Sequence, residues 1–378
     1  MKINLIDNDS HLSFAPLSLT RPIAELRTGI FTNTERYKHF LPECEIGYKS
    51  EAYLSTKYKE LDCDLFIIAN LIPNEDFIGA ICNLEKNQSL LLDGHTLAKR
   101  GNGKENISFL GESPVILKER WELFQLNNVV LKNDFDLITN NRNSQKLSKS
   151  NTLIGSPSAL FIEEGAQIEG AILNTTTGPI YVGKNAEIME GSLIRGGLAL
   201  CENACIKMGA KIYGATSIGP FCKVGGELNN VIFQSYSNKG HDGFLGNSVI
   251  GSWCNLGADT NTSNLKNNYS NVKTYSYIHK SEIQTNIQFM GLYMGDYSKT
   301  GINTMFNTAT NVGVCCNIFG SGFPDKHIPS FSWVNSNHAS PFDLKKSIIA
   351  AKNMMSRREL KMEQSDIDIF SHLFALKP

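Results

Sequence analysis

No apolar run in this 378-residue sequence approaches the roughly 20 residues that cross a bilayer, so no membrane partner is expected. An excess of charge is also missing. The formal net charge is −1, which removes the general electrostatic case for nucleic acid or an acidic membrane surface. The opening MKINLIDNDSH holds a strand-like apolar stretch without the h-region of a signal peptide, so a cytoplasmic protein is expected. The nine cysteines form no C-x-x-C pair, and Cys201, Cys222 and Cys254 fall where small buried residues are wanted. They read as reduced core thiols, and only the adjacent Cys315 and Cys316 raise a redox question. The remaining composition, 41% hydrophobic and 19% charged, is that of a globular chain long enough for two domains or more.

What is present is a strict beat. Val182, Ile188, Ile194, Leu200, Ile206, Ile212, Ile218 and Val224 recur every six residues without a missed step. Helices and strands repeat at 3.6 and 2.0, so a period of six means stacked coils of a β-solenoid. Two residues earlier lie small side chains: Ala186, Ser192, Ala204, Ala210, Thr216 and Cys222. Residues i and i−2 of a strand share a face, so each short strand sends one aliphatic and one small side chain into a narrow interior. Three hexads per turn make a triangular prism with parallel strands on flat sides. Glycine follows the aliphatic at Gly155, Gly183, Gly219, Gly225, Gly251, Gly257, Gly295 and Gly313. Those positions are expected to turn corners that need φ > 0.

Residues 1–140 mix apolar runs (INLID, DLFIIAN, SLLLD) with helical stretches around Glu35–Leu41 and Pro114–Gln125, the alternation of an α/β domain. Residues 141–151 are polar and read as a linker. The solenoid spans 152–335, with Ile154, Ile162 and Ile168 anticipating the beat and Met294, Phe306, Val312 and Ile318 resuming it. Glu227–Asn247 and Thr260–Lys273 are too irregular for coils and read as loops thrown out from the prism, where repeat proteins tend to build function. Residues 336–378 form a helical segment. Leu344, Ile348, Ala351 and Met355 give it an apolar face suited to the solenoid end or a neighbouring subunit.

The inserted loops hold the chemically informative stretch. It runs Asn238-Lys239-Gly240-His241-Asp242-Gly243-Phe244-Leu245-Gly246, then Ile250-Gly251, Asn255-Leu256-Gly257-Ala258 and Ser263-Asn264-Leu265. A loop histidine can act as general base, and amides with a lysine can hold a phosphorylated sugar without a metal. The stretch resembles the acetyltransferase domain of the bifunctional glucosamine-1-phosphate acetyltransferase/N-acetylglucosamine-1-phosphate uridylyltransferases. Those carry K-A-G-H-x-x-Y-x-G-D, then I-G-x-x-x-N-x-G-A-G-T, then C-N-Y-D-G. Upstream, Ile218-Gly219-Pro220-Phe221 matches their IGPF, and Asn238 to Asn264 aligns without a gap.

The resemblance implies a left-handed solenoid assembled as a homotrimer with sites between subunits. It puts His241 in place of the catalytic base and Asn264 where an asparagine orients that base and the amine. Asn255, Phe244 and Ala258 fall at the sugar-phosphate and acetyl-CoA contacts. There are departures: the family's tyrosine is Phe244, and its phosphate-gripping arginine aligns with Gly225. Lys223 is left as the nearest cation, with Lys239 as a stand-in for another substrate lysine.

The N-terminal third resembles sugar-1-phosphate nucleotidyltransferases through Ala15-Pro16-Leu17-Ser18-Leu19-Thr20-Arg21-Pro22, which is similar to their R-P-L-T-x-x-x-P-K-P run. The preceding G-x-G-T-R loop is absent (Asp9 to Ser13 stand there), and the expected lysine is Ile23. Arg21 and Arg27 could face a nucleotide or serve as structural arginines. Asp64 and Asn70 flank the apolar strand where the family places a magnesium-binding aspartate.

The expected function is acyl-CoA-dependent N-acyl transfer to an amino sugar phosphate, with acetyl-CoA or another acyl-CoA as donor. The attached nucleotidyltransferase-like domain is expected to be weak or inactive, and Mg2+ is called for only if it works. The alternative is a sugar-nucleotide or acyl-CoA binding protein with degenerate sites. A γ-type carbonic anhydrase shares the solenoid but needs an H-x4-H pair, which His241, His279, His327 and His338 never form.

Overall fold

The computed structural model of the chain describes every residue except Asn337, Lys377 and Pro378. The residues group into two compact units. The first holds Met1–Leu26, Phe31–Arg120 and Glu363–His372, and the second holds Arg27–Ile30, Trp121–Met362 and the residues from Leu373 on.

The first unit is α/β. Its six-stranded sheet runs in the order Glu45–Lys49, Lys2–Ile6, Leu65–Ile68, His95–Arg100, Gln88–Leu92, Glu105–Ser108. Lys2–Ile6 pairs in parallel with both neighbours and buries Ile3 and Leu5 completely, as a central strand should. Helix Asn33–Phe40 starts at a capping box: Glu35 N donates to Thr32 Oγ1 at 3.2 Å, and Thr32 N donates to Glu35 Oε2 at 2.7 Å. The helical stretch expected over Pro114–Gln125 is instead a short strand, Val115–Ile116, with helix only at Glu122–Gln125. Within the expected C-terminal helical segment, residues Glu363–His372, most of helix Gln364–Ala375, belong to this unit. His372 stacks on Tyr53 at 4.3 Å and Asp366 pairs with Lys57 at 2.7 Å.

The second unit is a parallel solenoid. All eight beat residues are at most 2% exposed and belong to one apolar core. Register sorts them into three columns: Val182–Leu200–Ile218, Ile188–Ile206–Val224 and Ile194–Ile212. Each step within a column is three hexads, so the triangular cross-section follows directly. Ile154 breaks the expectation: it points outward, and Leu153 packs against the core in its place. In strand Thr152–Ile154 the inward position is therefore shifted by one residue.

The glycines do a different job from the one expected. Of the eight, only Gly155 has φ > 0; the left-handed conformation falls two residues later, at Phe221, Trp253, Tyr297 and Cys315. What the glycines provide is room for the adjacent coil. A Cβ at Gly219 would lie 1.6 Å from the Gln234 carbonyl oxygen, and one at Gly257 would lie 2.4 Å from that of Gly301.

Three boundaries also move. Residues 141–151 are not a free linker: Gln145 N donates to Ile162 O at 2.7 Å, Arg142 forks onto Glu163, and Leu147 packs on the core. Helix Asn127–Thr139 groups with the solenoid because buried Asn127 donates to Ala215 O at 2.8 Å and accepts from Gly29 N. Glu227–Asn247 is not a protruding loop. Strands Glu227–Phe233 and Phe244–Ile250 continue the coils, because Leu228, Val231, Phe233, Leu245 and Ile250 remain inward. The true excursion lies further on and contains the antiparallel hairpin Lys273–Ser276/Ser281–Gln284. Helix Leu344–Ser356 buries Ser347, Ala351 and Met355 and meets Tyr297 OH through Met355 Sδ at 3.7 Å.

Truncating one aliphatic side chain inside the columns should be costly. Ile206→Ala is expected to lower unfolding free energy by about 2–5 kcal/mol in a denaturant titration, because neighbouring coils cannot collapse into the void without breaking their ladder.

Candidate functional site

Strand Asn238–Lys239 ends in the turn that carries His241. The imidazole is exposed and lines a cavity of about 340 Å³ with Met208, Gly226, Gly240, Asp242, Ala258 and Asp259. The lining therefore holds two carboxylates and no lysine or arginine. Such a lining favours a cationic group, as a protonated amine would be, and brings no basic side chain to a phosphate.

Lys239 lies below this turn. It was expected to face substrate, but it is 1% exposed and its ammonium is engaged by backbone. Nζ donates to His241 O at 2.9 Å, Asp242 O at 3.3 Å and Gly225 O at 3.4 Å. Burial pulls its pKa from the ordinary lysine range down to about 8, against the opposing pull of Asp242 and Asp259.

The remaining expected residues fall into two groups. Phe244 and Asn264 converge on Gly246, where an added Cβ would lie 2.6 Å from the phenyl ring and 2.7 Å from Asn264 Nδ2. Asn264 donates to Asn247 Oδ1 at 2.7 Å. His241 and Ala258 line one cavity, and no hydrogen bond joins His241 to Asn264 among the described residues. Lys223 and Asn255 share an outward column that runs Cys205, Lys223, Asn238, Asn255, Lys299. Lys299 was not anticipated; its Nζ donates to Tyr297 O at 3.0 Å, and burial lowers its pKa. Asp242 and Asp259 directly follow His241 and Ala258 in the sequence but nothing periodic marks them, and Lys299 joins the Lys223 column only through the strand register.

A larger cleft of about 570 Å³ runs along another corner, lined in part by Arg195, Tyr213, Asn229, Asn247 and Phe289. Asn247 connects it to Asn264.

In the first unit, the turn that replaces the glycine loop is a 3-10 helix, Asn8–Phe14, closed by side chains. Asp7 accepts from His11 Nδ1 at 2.8 Å, from Ile23 N at 3.0 Å and from Ser50 Oγ. Beside Asn8 is a cavity of about 210 Å³ with Ser89, Lys99 and Asn102 on its wall. Arg21 belongs to this unit and is half-buried. Arg27 belongs to the second unit, 5% exposed, with Nη1 directed at Ile30 O and its backbone N at Gln234 Oε1. It presents no guanidinium to a nucleotide. Asp64 sits before the strand facing Arg100, and Asn70 donates to Leu117 O at 2.5 Å.

The chain thus joins an α/β unit to a hexapeptide solenoid. Residues 3–143 match the family model described as sugar nucleotidyl transferase. The sequence is 33% identical over 108 residues to the bifunctional protein GlmU of Methanocaldococcus jannaschii, covering 29% of this chain and 26% of that protein. It is 22% identical over 247 residues to the GlmU of Synechococcus elongatus, covering 60% of this chain and 50% of that protein. The chain therefore spans about half or less of these relatives, and along the matched stretches it is GlmU-like. Among solved structures, a UDP-N-acetylglucosamine acyltransferase from Campylobacter jejuni covers 60% of this chain and 95% of its own at 16% identity. Its TM-score is 0.23.

Proposed function

We propose that the solenoid unit transfers an acyl group from an acyl-CoA to the amine of an amino sugar phosphate, with His241 as general base. The observation that carries this reading is an exposed imidazole over a cavity walled by Asp242 and Asp259, on a turn fixed from below. The two carboxylates draw the sugar's ammonium in. Once the ammonium has given one proton to solvent, the nitrogen lone pair adds to the thioester carbonyl. The N–C bond forms, and His241 accepts the second proton, released at the tetrahedral step. The C–S bond then breaks, and the coenzyme A sulfur leaves and takes that proton from His241. His241→Ala is expected to lower acyl-transfer turnover about 10²–10⁴-fold with unchanged folding, since the exposed side chain packs no core. Asn264→Ala, acting through Asn247 and Phe244, should have a smaller effect in the same direction. Wild-type turnover in His241→Ala would remove the reading.

The phosphate needs a cation that the cavity lacks, which supports completion of the site by a second subunit. Ile172 and Leu193 are neighbours on one outward stripe of the solenoid, and both are exposed. A closed three-fold assembly would cover this stripe and seat a neighbour's basic residue at the cavity. A homotrimer is expected by light scattering at micromolar concentration, and a monomeric mass would contradict it.

For the first unit the same logic points to binding or slow turnover. Departure of pyrophosphate is assisted by positive charge and backbone donors, and the Asp7–His11 closure stands where those donors would be. Pyrophosphate release from a sugar-1-phosphate and a nucleoside triphosphate is therefore expected to be close to background. Robust release would overturn this and leave the degenerate-site alternative without support.

A further inference from the structure

The inward column that begins Ile168, Ile188, Ile206, Val224 continues with Lys239. A lysine has taken a place where the four preceding members are aliphatic, and it is 1% exposed. Val or Ile would fill that place without taking an ammonium out of water, so packing alone does not account for it. No carboxylate lies within ion-pair distance of it among the described residues; its three donors go to three carbonyls. Two of those belong to His241 and Asp242, the third to Gly225 in the coil below. The turn is also seated closely on that coil: a Cβ at Gly226 would lie 2.8 Å from His241 O. Asp242 O accepts a second bond, from Asp259 N at 3.0 Å, which ties the opposite wall of the cavity to the same point.

We infer that Lys239 is a positioning residue: a buried cationic clamp that fixes the backbone of the His241 turn and, through Asp242 and Asp259, the width of the cavity. Its ammonium collects three carbonyl oxygens, two of which have no backbone donor among the described residues, and holds the imidazole over the cavity instead of letting the turn swing into solvent. The kinetic consequence rests on the acyl-transfer reading of His241; the clamp itself does not.

The decisive comparison is Lys239→Met against Lys239→Arg in the full chain. Methionine keeps length and apolar bulk but donates nothing, whereas arginine keeps the cation and its donors. Hydrogen–deuterium exchange should show the amides of Phe244 and Asp259 exchanging about tenfold faster or more in Lys239→Met. The amides of Ile206 and Val224 should stay as protected as in wild type, and Lys239→Arg should restore much of the loss. With an active acyl acceptor, kcat should fall up to about 10²-fold while KM for the acyl-CoA stays near wild type. Unchanged exchange across residues 241–260 in Lys239→Met overturns the proposal, whatever the activity. Faster exchange with no measurable transfer in wild type upholds the clamp and counts against the acyltransferase reading alone. Should Lys239→Met fail to fold, Lys239→Gln, with one amide to donate, is judged likewise: intermediate loosening is expected, and wild-type protection overturns the clamp.

Discussion

Everything in the solenoid depends on how closely one coil sits on the next. Parallel strands bond their neighbours at about 4.8 Å, and this spacing applies to corners as well as to flat sides. At the corners a side chain has nowhere to go, which is why a Cβ at Gly219, Gly251 or Gly313 would fall within 2.4 Å of the adjacent coil. The turn is then made by the residue two further on, where a left-handed conformation is required. Phe221, Tyr236, Trp253 and Tyr297 all adopt φ between 55° and 62°. A strained backbone position of this kind costs about 1–3 kcal/mol. The rings respond by stacking, Phe221 on Tyr236 at 4.7 Å and Tyr236 on Trp253 at 4.3 Å, and such pairs return about 0.5–1.5 kcal/mol beyond their burial. The ladder offsets much of the strain that the coil spacing imposes.

The same spacing turns sequence into columns, and columns explain how polar chemistry is held on an apolar scaffold. An outward position repeats up one face, so Lys223, Asn238, Asn255 and Lys299 form a single polar stripe although they are far apart in sequence. An inward position repeats up the interior, so one lysine among isoleucines sits beneath the backbone of the coil edge. Strict coils advance 18 residues per turn, as Val182, Leu200 and Ile218 do; from Val224 to Lys239 the step is 15. The shortened coil draws the His241 turn down onto Gly226 and brings its carbonyls within reach of the Lys239 ammonium. Irregular coil length therefore built the cavity without any excursion from the prism.

Most of the solenoid was legible in the sequence because a period of six admits no competing element, and the eight beat residues all point inward. The errors came where side-chain identity and backbone role part company. Ile154 looks like a beat residue but stands one position out of phase with Leu153. Glu227–Asn247 reads as polar, yet its inward residues Leu228, Phe233 and Leu245 keep the core, and polarity on the outward faces disguised the strands. For the site, the family resemblance assigned both His241 and Ala258 to it, and the two line one cavity. Asp242 and Asp259 were not singled out because an acidic residue in a loop carries no periodic signal. Lys239 was misread for the reverse reason: a lysine beside a loop histidine suggests a substrate contact, and only the register shows that its side chain turns inward.

The first unit shows what the absence of a motif does to the space it would occupy. A glycine-rich loop offers backbone N–H groups to phosphate because nothing else fills the turn. Here Asp7 and His11 fill it, and the carboxylate takes Ile23 N and the Ser50 hydroxyl for itself. Opening the turn for a triphosphate would strand a carboxylate that is 3% exposed and an imidazole that is 1% exposed, and a buried polar group left without its partner costs about 1–3 kcal/mol, more when it is charged. The energy that keeps this turn closed is comparable to what several phosphate contacts could return. Adding glycines alone would then not recover nucleotidyl transfer, because the Asp7–His11 pair must be removed together with the sequence that surrounds it.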